Sequence, residues 1–131
     1  MMPSKLKTFA TNIGENIVFS HKIIKEKLLP HKNILLVQKP YMERRTFATF
    51  AKQWPEEEPN FLVTFPPCTL EEYLKTNPTP KNEVLLMFGD LQRIKLYPEK
   101  GFQIHQEIPA PIWSHFEFLV QQGFTAHLIK P

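Results

Sequence analysis

Apolar side chains recur at every third or fourth position along much of this sequence, which is the spacing that gives a helix one apolar face. The spacing predicts four long helices, over residues 14–29, 41–54, 81–96 and 112–122. In the third of these helices we expect the apolar run over 85–88 to be buried and Asp90 to belong to the polar positions. Gly123 is expected to end the last helix, because glycine readily adopts the left-handed conformation found at helix ends.

Short polar side chains mark the starts of two helices. Thr11 or Asn12 can cap the first helix, because a short side-chain oxygen accepts a hydrogen bond from a free N–H group of the first turn. Glu15 is favourable near the positive end of the same helix. Thr69 and Glu72 have the spacing of a capping box, which predicts a further short helix ending near residue 75.

Two short runs, over 33–38 and 60–65, are apolar without alternation. Such runs are typical of parallel strands covered on both faces, and we expect the first to be a central strand. Because a predicted helix separates them, the strands should form a parallel pair with a right-handed crossover, so the expected fold class is α/β. Sheets of that class usually have about 4 to 6 strands. The missing strands therefore belong to a partner, to a second copy, or to a first half that this chain lacks.

Composition limits the class of protein. The chain has 131 residues, enough for one domain, and its net charge of +3 is too small to indicate a nucleic-acid partner. A single cysteine, Cys68, excludes an intrachain disulfide and favours a reducing compartment.

No run reaches the roughly 20 apolar residues of a membrane-spanning helix, and the basic start over 1–7 lacks the apolar stretch of a secretory signal. We expect a cytoplasmic protein without membrane insertion.

No arrangement of catalytic residues stands out. The five histidines lack i, i+4 pairing and companion cysteines, so no metal ion is expected. No glycine-rich phosphate loop or serine-hydrolase motif occurs, and Cys68 is interpreted as a structural thiol. Asp90 and Arg93 lie one helical turn apart and are expected to pair with each other. These residues leave open whether the chain is an enzyme.

Several stretches of the chain resemble one known family. They cover residues 11–16, 19–20, 34–37, 40–45, 89–94 and 99–103. On these stretches the chain resembles the later portion of the YdcF-like family of domains of unknown function, which includes the envelope proteins SanA and ElyC. The resemblance implies a Rossmann-like parallel sheet with flanking helices, in a single domain over 1–131 that lacks the family's first α/β units.

The same resemblance implies a polar cleft at the carboxyl ends of the strands, where open α/β sheets place ligands. The residues that match the family there are Thr11, Asn12, Glu15, Asn16, Tyr41, Arg44 and Arg45. The implied ligand is a nucleotide-like small molecule such as S-adenosylmethionine. In this hypothesis the helix start holds a carboxylate, hydroxyl or phosphate group, Arg44 or Arg45 supplies the countercharge, and Tyr41 contacts a ring.

The chain departs from the family in places, and plainer interpretations stay open. Lys5 and Lys7 stand near a position that is usually acidic, and Met42 stands where many members have histidine. The helix start can serve as a cap only, and Arg44 and Arg45 can form a solvated helix face. The alternative function is a non-enzymatic structural or interaction protein that assembles through an exposed strand edge, including with a second copy that completes the sheet.

Overall fold

A computed structural model describes residues 10–130, so the basic start with Lys5 and Lys7 lies outside the described residues. The helices and strands follow in the order α1 (Ile13–Glu26), β1 (Asn33–Val37), a 3-10 turn (Pro40–Met42), α2 (Glu43–Gln53), β2 (Asn60–Thr64), α3 (Leu70–Thr76), α4 (Pro80–Leu96) and α5 (Ala110–Gln121). All four predicted long helices are present, although the second begins as the 3-10 turn. Mixed α and β content is thereby confirmed.

The predicted helix caps are confirmed. Asn12 is the cap of α1, and its Oδ1 atom accepts a hydrogen bond from the N–H of Glu15 at 2.8 Å. Thr69 and Glu72 form both bonds of a capping box at the start of α3. At its other end α1 is shorter than predicted, because Leu28 has a φ of +53° and a helix cannot continue through that left-handed conformation. Gly123, with a φ of +101°, follows the end of α5 as expected.

The strands β1 and β2 form a parallel pair, as predicted, with Leu35 opposite Leu62. They are not covered on both faces, so the prediction of a doubly buried central strand is wrong. Alternate residues face α1 and α2, whereas Leu35, Val37 and Leu62 on the other face are 62%, 70% and 71% exposed. No other strand pairs with β1 or β2 within residues 10–130. The strands are therefore apolar on both faces, although no described element covers the second face.

The main core lies between α1, α2 and the covered face of the sheet. Phe50 is at its centre and is 1% exposed. Its ring stacks on that of Trp54 at 5.0 Å between centroids and lies 4.4 Å from that of Phe61. Ile17 completes the buried cluster from the side of α1. Truncating an aromatic side chain at such a position costs about 3–5 kcal/mol, so Phe50 fixes how the helices sit on the strands.

The buried face of α4 differs from the prediction. Residues 85–88 are only half-buried, whereas Glu83, Gly89, Asp90 and Ile94 are buried. Gly89 is required there, because a Cβ atom would lie 2.7 Å from the backbone oxygen of His127 in the C-terminal tail. The tail thus occupies space on α4 that the apolar periodicity does not reveal.

The helices of this part of the chain are short or polar relative to a membrane-spanning helix. Over residues 10–130, none of them combines the length and the apolar character needed to cross a bilayer.

Candidate functional site

A cavity of about 350 Å³ opens between the start of α1, the inner side of α2 and the loop that follows α4. We call it the Arg45 cavity. Its lining residues are Asn12, Ile13, Gly14, Glu15, Val18, Phe19, Arg45, Thr49, Gln53, Tyr97, Phe102 and Gln103. Its volume lies within the roughly 300–1,000 Å³ range of small-molecule sites.

The start of α1 contributes a carboxylate to the cavity. The Oε2 atom of Glu15 accepts hydrogen bonds from the backbone N–H of Thr11 at 2.7 Å and from its hydroxyl at 2.9 Å. These bonds lower the pKa of Glu15, the backbone bond having the larger effect. Glu15 is therefore ionised at neutral pH and is held in one orientation at the cavity wall. Thr11 therefore acts on the cavity through Glu15, and its hydroxyl also accepts a long hydrogen bond, at 3.5 Å, from the side chain of Asn12.

Arg45 brings a positive charge to the same cavity from α2. Its Nη1 atom donates to the Oδ1 atom of Asp90 at 2.6 Å. Burial raises the pKa of Asp90, and the nearby Arg45 guanidinium offsets only part of that effect. The predicted pair of Asp90 with Arg93 is wrong. Arg93 instead donates to the backbone oxygens of Gly89 and His127.

Two buried polar atoms of this ion pair have no partner among the described residues. They are the Nε atom of Arg45 and the Oδ2 atom of Asp90. An unpaired buried polar group costs about 1–3 kcal/mol. The pair therefore has hydrogen-bonding capacity beyond its mutual contact.

Gln103 is the most unusual residue at the cavity. Its side chain is 2% exposed, and both its amide nitrogen and its amide oxygen lack a hydrogen-bond partner in the described chain. Its backbone is fixed through the next residue, because the N–H of Ile104 donates to the backbone oxygen of Ala48 on α2 at 3.0 Å. A donor and an acceptor thus lie side by side, buried and unsatisfied, at the wall of the cavity.

Aromatic rings form another wall. Tyr97 and Phe102 meet edge to face with 5.2 Å between ring centroids. Gln53 holds this loop, since its Nε2 atom donates to the backbone oxygen of Phe102 at 2.9 Å. Gly14 leaves room for the Gln53 amide, because a Cβ atom at Gly14 would lie 2.5 Å from the Gln53 Oε1 atom. The side chain of Gln53 therefore contacts both the loop of Phe102 and the start of α1 at Gly14.

The seven residues predicted for the cleft do not all meet. Asn12, Glu15 and Arg45 line the Arg45 cavity. Asn16, one turn along α1, lines a separate cavity between α1 and β1. Arg44 and Tyr41 line neither of them.

Tyr41 belongs instead to a half-buried cluster around the buried Glu83. The Tyr73 hydroxyl donates to the Oε2 atom of Glu83 at 2.8 Å, and the ring of Tyr41 lies 6.1 Å from that of Tyr73. Burial and the charge of Glu83 raise the pKa of Tyr41. Burial, together with the hydrogen bond to Glu83, raises the pKa of Tyr73 to about 12. Burial favours a higher pKa for Glu83, but the Tyr73 hydrogen bond and the charge of Lys39 together lower it. The cluster joins the 3-10 turn and α3 to α4.

Arg44 binds the loop before α5 through its guanidinium group. Its Nε atom donates to Gln106 Oε1 at 2.9 Å, and its Nη2 atom donates to the backbone oxygen of Glu107 at 2.8 Å. Gln106 returns a bond from its amide nitrogen to the backbone oxygen of Arg44 at 2.6 Å. Of the two adjacent arginines, only Arg45 contributes to the Arg45 cavity.

Sequence reasoning missed several residues of the site, among them Gln53, which holds the loop of Phe102. Asp90 was assigned to the polar face of a helix, and Tyr97, Phe102 and Gln103 were not singled out as site residues. The one available signal was indirect, because Phe102 and Gln103 fall within the 99–103 stretch of the family resemblance.

Potential metal ligands are dispersed in the folded chain. Across residues 10–130, no three side chains of His, Cys, Asp or Glu come together in a way that could hold a metal ion.

Comparison with known proteins identifies an uncharacterised relative. The chain is 39% identical over 120 residues to the uncharacterised protein SCO4629 of Streptomyces coelicolor, and the match covers 92% of this chain. It covers 53% of SCO4629, so the chain spans about half the length of this curated relative. No protein-family model matches the sequence. No solved structure matches it either.

Proposed function

We propose that this chain binds a nucleotide-like small molecule, such as S-adenosylmethionine, in the Arg45 cavity of a Rossmann-like unit of the YdcF-like type. The proposal is supported by a cavity that combines a carboxylate, a guanidinium, two aromatic rings and an unpaired amide. Small-molecule sites characteristically combine apolar walls with a few such polar groups.

The charges at the cavity favour a ligand with both signs of charge. Glu15 supplies a fixed negative charge, which suits an ammonium group, and Arg45 supplies a positive charge, which suits a carboxylate. The amino-acid end of S-adenosylmethionine carries both groups. Its base would lie against Tyr97 and Phe102, whose rings offer stacking surfaces.

The buried amide of Gln103 is the observation that carries the proposal. An amide of glutamine matches the adjacent donor and acceptor on the edge of adenine. Since Gln103 is almost fully buried, its amide must turn towards the cavity to reach a ligand. Ligand binding then satisfies two polar groups that have no partner among the described residues.

Calorimetric titration with S-adenosylmethionine, together with thermal unfolding, tests the proposal. Ligand at about 100 times its Kd should add about 2.7 kcal/mol to the free energy of unfolding. Arg45→Met should weaken binding at least tenfold, whereas Arg44→Met, which changes an arginine outside the cavity, should leave the Kd unchanged. Circular dichroism checks that both variants fold. Absence of binding at millimolar ligand, or equal effects of the two substitutions, would overturn the assignment.

The proposed function is binding, because a binding site for S-adenosylmethionine specifies no acceptor. It includes a cytoplasmic location, supported by the free and exposed thiol of Cys68, since such thiols persist in reducing compartments.

A second candidate function is a non-enzymatic interaction protein that assembles through an exposed strand edge. It is favoured by the outer edge of β1, with which no strand of residues 10–130 pairs. Light scattering over a range of concentrations tests self-association, and a folded monomer with a ligand in the Arg45 cavity favours the binding function instead.

A further inference from the structure

The guanidinium of Arg45 already has a carboxylate partner in the protein without ligand. Its Nη1 atom donates to the Oδ1 atom of Asp90 at 2.6 Å, and Asp90 is 6% exposed. When Asp90 is ionised, the pair has no net charge. The ammonium group of a ligand such as S-adenosylmethionine balances Glu15, but the carboxylate of that ligand then meets no uncompensated positive charge at the cavity wall.

One oxygen of Asp90 is suited to hold a proton. Its Oδ2 atom is buried and has no partner among the described residues, whereas Oδ1 is the atom bound to Arg45. A proton on Oδ2 leaves Oδ1 as an acceptor, so Arg45 keeps its orientation while the pair gains a net positive charge. An unpaired buried oxygen also costs less free energy in a neutral carboxyl group than in a carboxylate.

The groups that face Asp90 from the surrounding elements do not cancel the effect of its burial. Burial raises the pKa of Asp90, and the charges of Arg45, Arg93 and Lys39 offset only part of that rise. Tyr41, from the 3-10 turn, has a raised pKa and is neutral at physiological pH. A ligand carboxylate on Arg45 adds a negative charge near Asp90, which raises the pKa of Asp90 further. Ligand binding and protonation of Asp90 therefore favour each other.

We infer that Asp90 is a positioning residue of the Arg45 cavity, which holds the Arg45 guanidinium in place and takes up a proton when a ligand carboxylate binds there. The inference rests on the proposed binding of S-adenosylmethionine and makes that binding dependent on pH. Because the pKa of Asp90 is higher in the complex than in the free protein, affinity is greatest in acid and decreases as the pH rises through these two values.

The range between about pH 5 and about pH 7 separates Asp90 from the other titrating groups of the site. Glu15 stays ionised, because its pKa lies below the ordinary value of 4.5. An α-ammonium group loses its proton only at about pH 8, and an α-carboxyl group is ionised above about pH 4. The residues that line the cavity in the described chain include no histidine.

Calorimetric titration of the full chain with S-adenosylmethionine, in buffers of different ionisation enthalpy, counts the protons taken up on binding. We expect uptake of up to about one proton, and a Kd that rises at least about threefold between about pH 5 and about pH 7. Asp90→Asn keeps an acceptor for Arg45 and cannot titrate. This variant should take up no proton, and at pH 7 it should bind at least about threefold more tightly than the wild type, whereas a merely structural role would weaken binding.

Two controls isolate the carboxylate of Asp90 and that of the ligand. Glu83→Gln changes another buried carboxylate of α4, outside the Arg45 cavity, and should leave the proton uptake unchanged. The compound 5′-methylthioadenosine lacks the amino-acid end of S-adenosylmethionine, so the wild type should bind it without proton uptake. The second comparison needs no variant and serves if Asp90→Asn fails to fold.

Each outcome has a defined meaning. Proton uptake that requires both Asp90 and the amino-acid end of the ligand supports the inference. Binding of S-adenosylmethionine without proton uptake, uptake that persists in Asp90→Asn, or equal uptake with 5′-methylthioadenosine overturns the inference and leaves the proposed binding standing. Absence of binding at millimolar S-adenosylmethionine overturns both.

Discussion

The Nη1 atom of Arg45 lies 2.6 Å from the Oδ1 atom of Asp90, and this ion pair joins α2 to α4 beside the Arg45 cavity. The two residues are 45 positions apart in the sequence. Their side chains are 17% and 9% exposed, so water screens the pair only weakly. The contact therefore contributes both to the packing of the two helices and to the charge of the cavity.

Replacement of Arg45 should destabilise the protein more than replacement of Asp90. Arg45→Met leaves a buried carboxylate without its partner, which costs about 3–5 kcal/mol. Asp90→Asn removes the buried charge and leaves a guanidinium that still reaches water, so we expect a smaller loss. Urea unfolding at pH 7 measures both variants. Equal losses, or a loss below about 1 kcal/mol for Arg45→Met, would contradict this account of the pair.

Replacement of Gln103 should raise the stability of the protein and weaken its binding of S-adenosylmethionine. Gln103→Leu removes two buried polar atoms that have no partner in the described chain and puts an apolar side chain of similar size in their place, so the free energy of unfolding should rise by about 1–3 kcal/mol. The same change should weaken S-adenosylmethionine binding at least tenfold. Gln106→Leu is the matched control, and it should lower stability because the Gln106 amide is paired with Arg44. Thermal unfolding and calorimetry provide the two readouts. A less stable Gln103→Leu variant would show that the amide is satisfied in solution.

Two glycines should respond differently to alanine. Gly89→Ala should cost about 1–3 kcal/mol, because its Cβ would meet the backbone of His127 at 2.7 Å and the tail would have to shift. Gly14→Ala should cost less, because its Cβ meets only the movable end of Gln53 and alanine favours the helix. Urea unfolding of the two variants gives the comparison, and an equal or reversed order would be inconsistent with the packing of the tail on α4.

Stability in acid should depend on Glu56. Its carboxylate accepts from Lys25 at 2.7 Å and lies near the Nε2 atoms of His21 and His31, at 3.4 and 3.1 Å. The hydrogen bond from Lys25 is the largest cause of a pKa near 2, against an ordinary value of 4.5. Because the pKa is lower in the folded state, the stabilisation is complete above about pH 4.5 and is lost as the pH falls towards 2.

The measurement for Glu56 is Tm as a function of pH. Glu56→Gln should lower Tm at pH 7 and should reduce the fall in Tm between pH 4.5 and 2. Glu57→Gln changes the neighbouring exposed carboxylate and should leave the wild-type profile almost intact. If the profiles of Glu56→Gln and the wild type have the same shape, the contacts of Glu56 do not stabilise the fold.

Local features of this chain could be predicted from sequence because they depend on residues a few positions apart. The cap at Asn12 and the capping box of Thr69 and Glu72 each need a side chain and an N–H group within one helical turn. The parallel pairing of β1 and β2 follows from two apolar runs separated by a helix. Within the candidate site, the start of α1 depends most on such local contacts, because Asn12 and Glu15 are three positions apart.

The remaining features were decided by contacts between distant parts of the chain. Two adjacent arginines look alike in sequence, yet Arg45 turns to Asp90 and Arg44 to Gln106, 62 positions away. An apolar strand does not reveal which layers cover it, so the exposed Leu35 could not be foreseen. The burial of Gln103 depends on how the loop after α4 folds back onto α2. Helical period and capping are determined locally by the sequence, whereas burial and pairing depend on which surfaces the tertiary structure brings together.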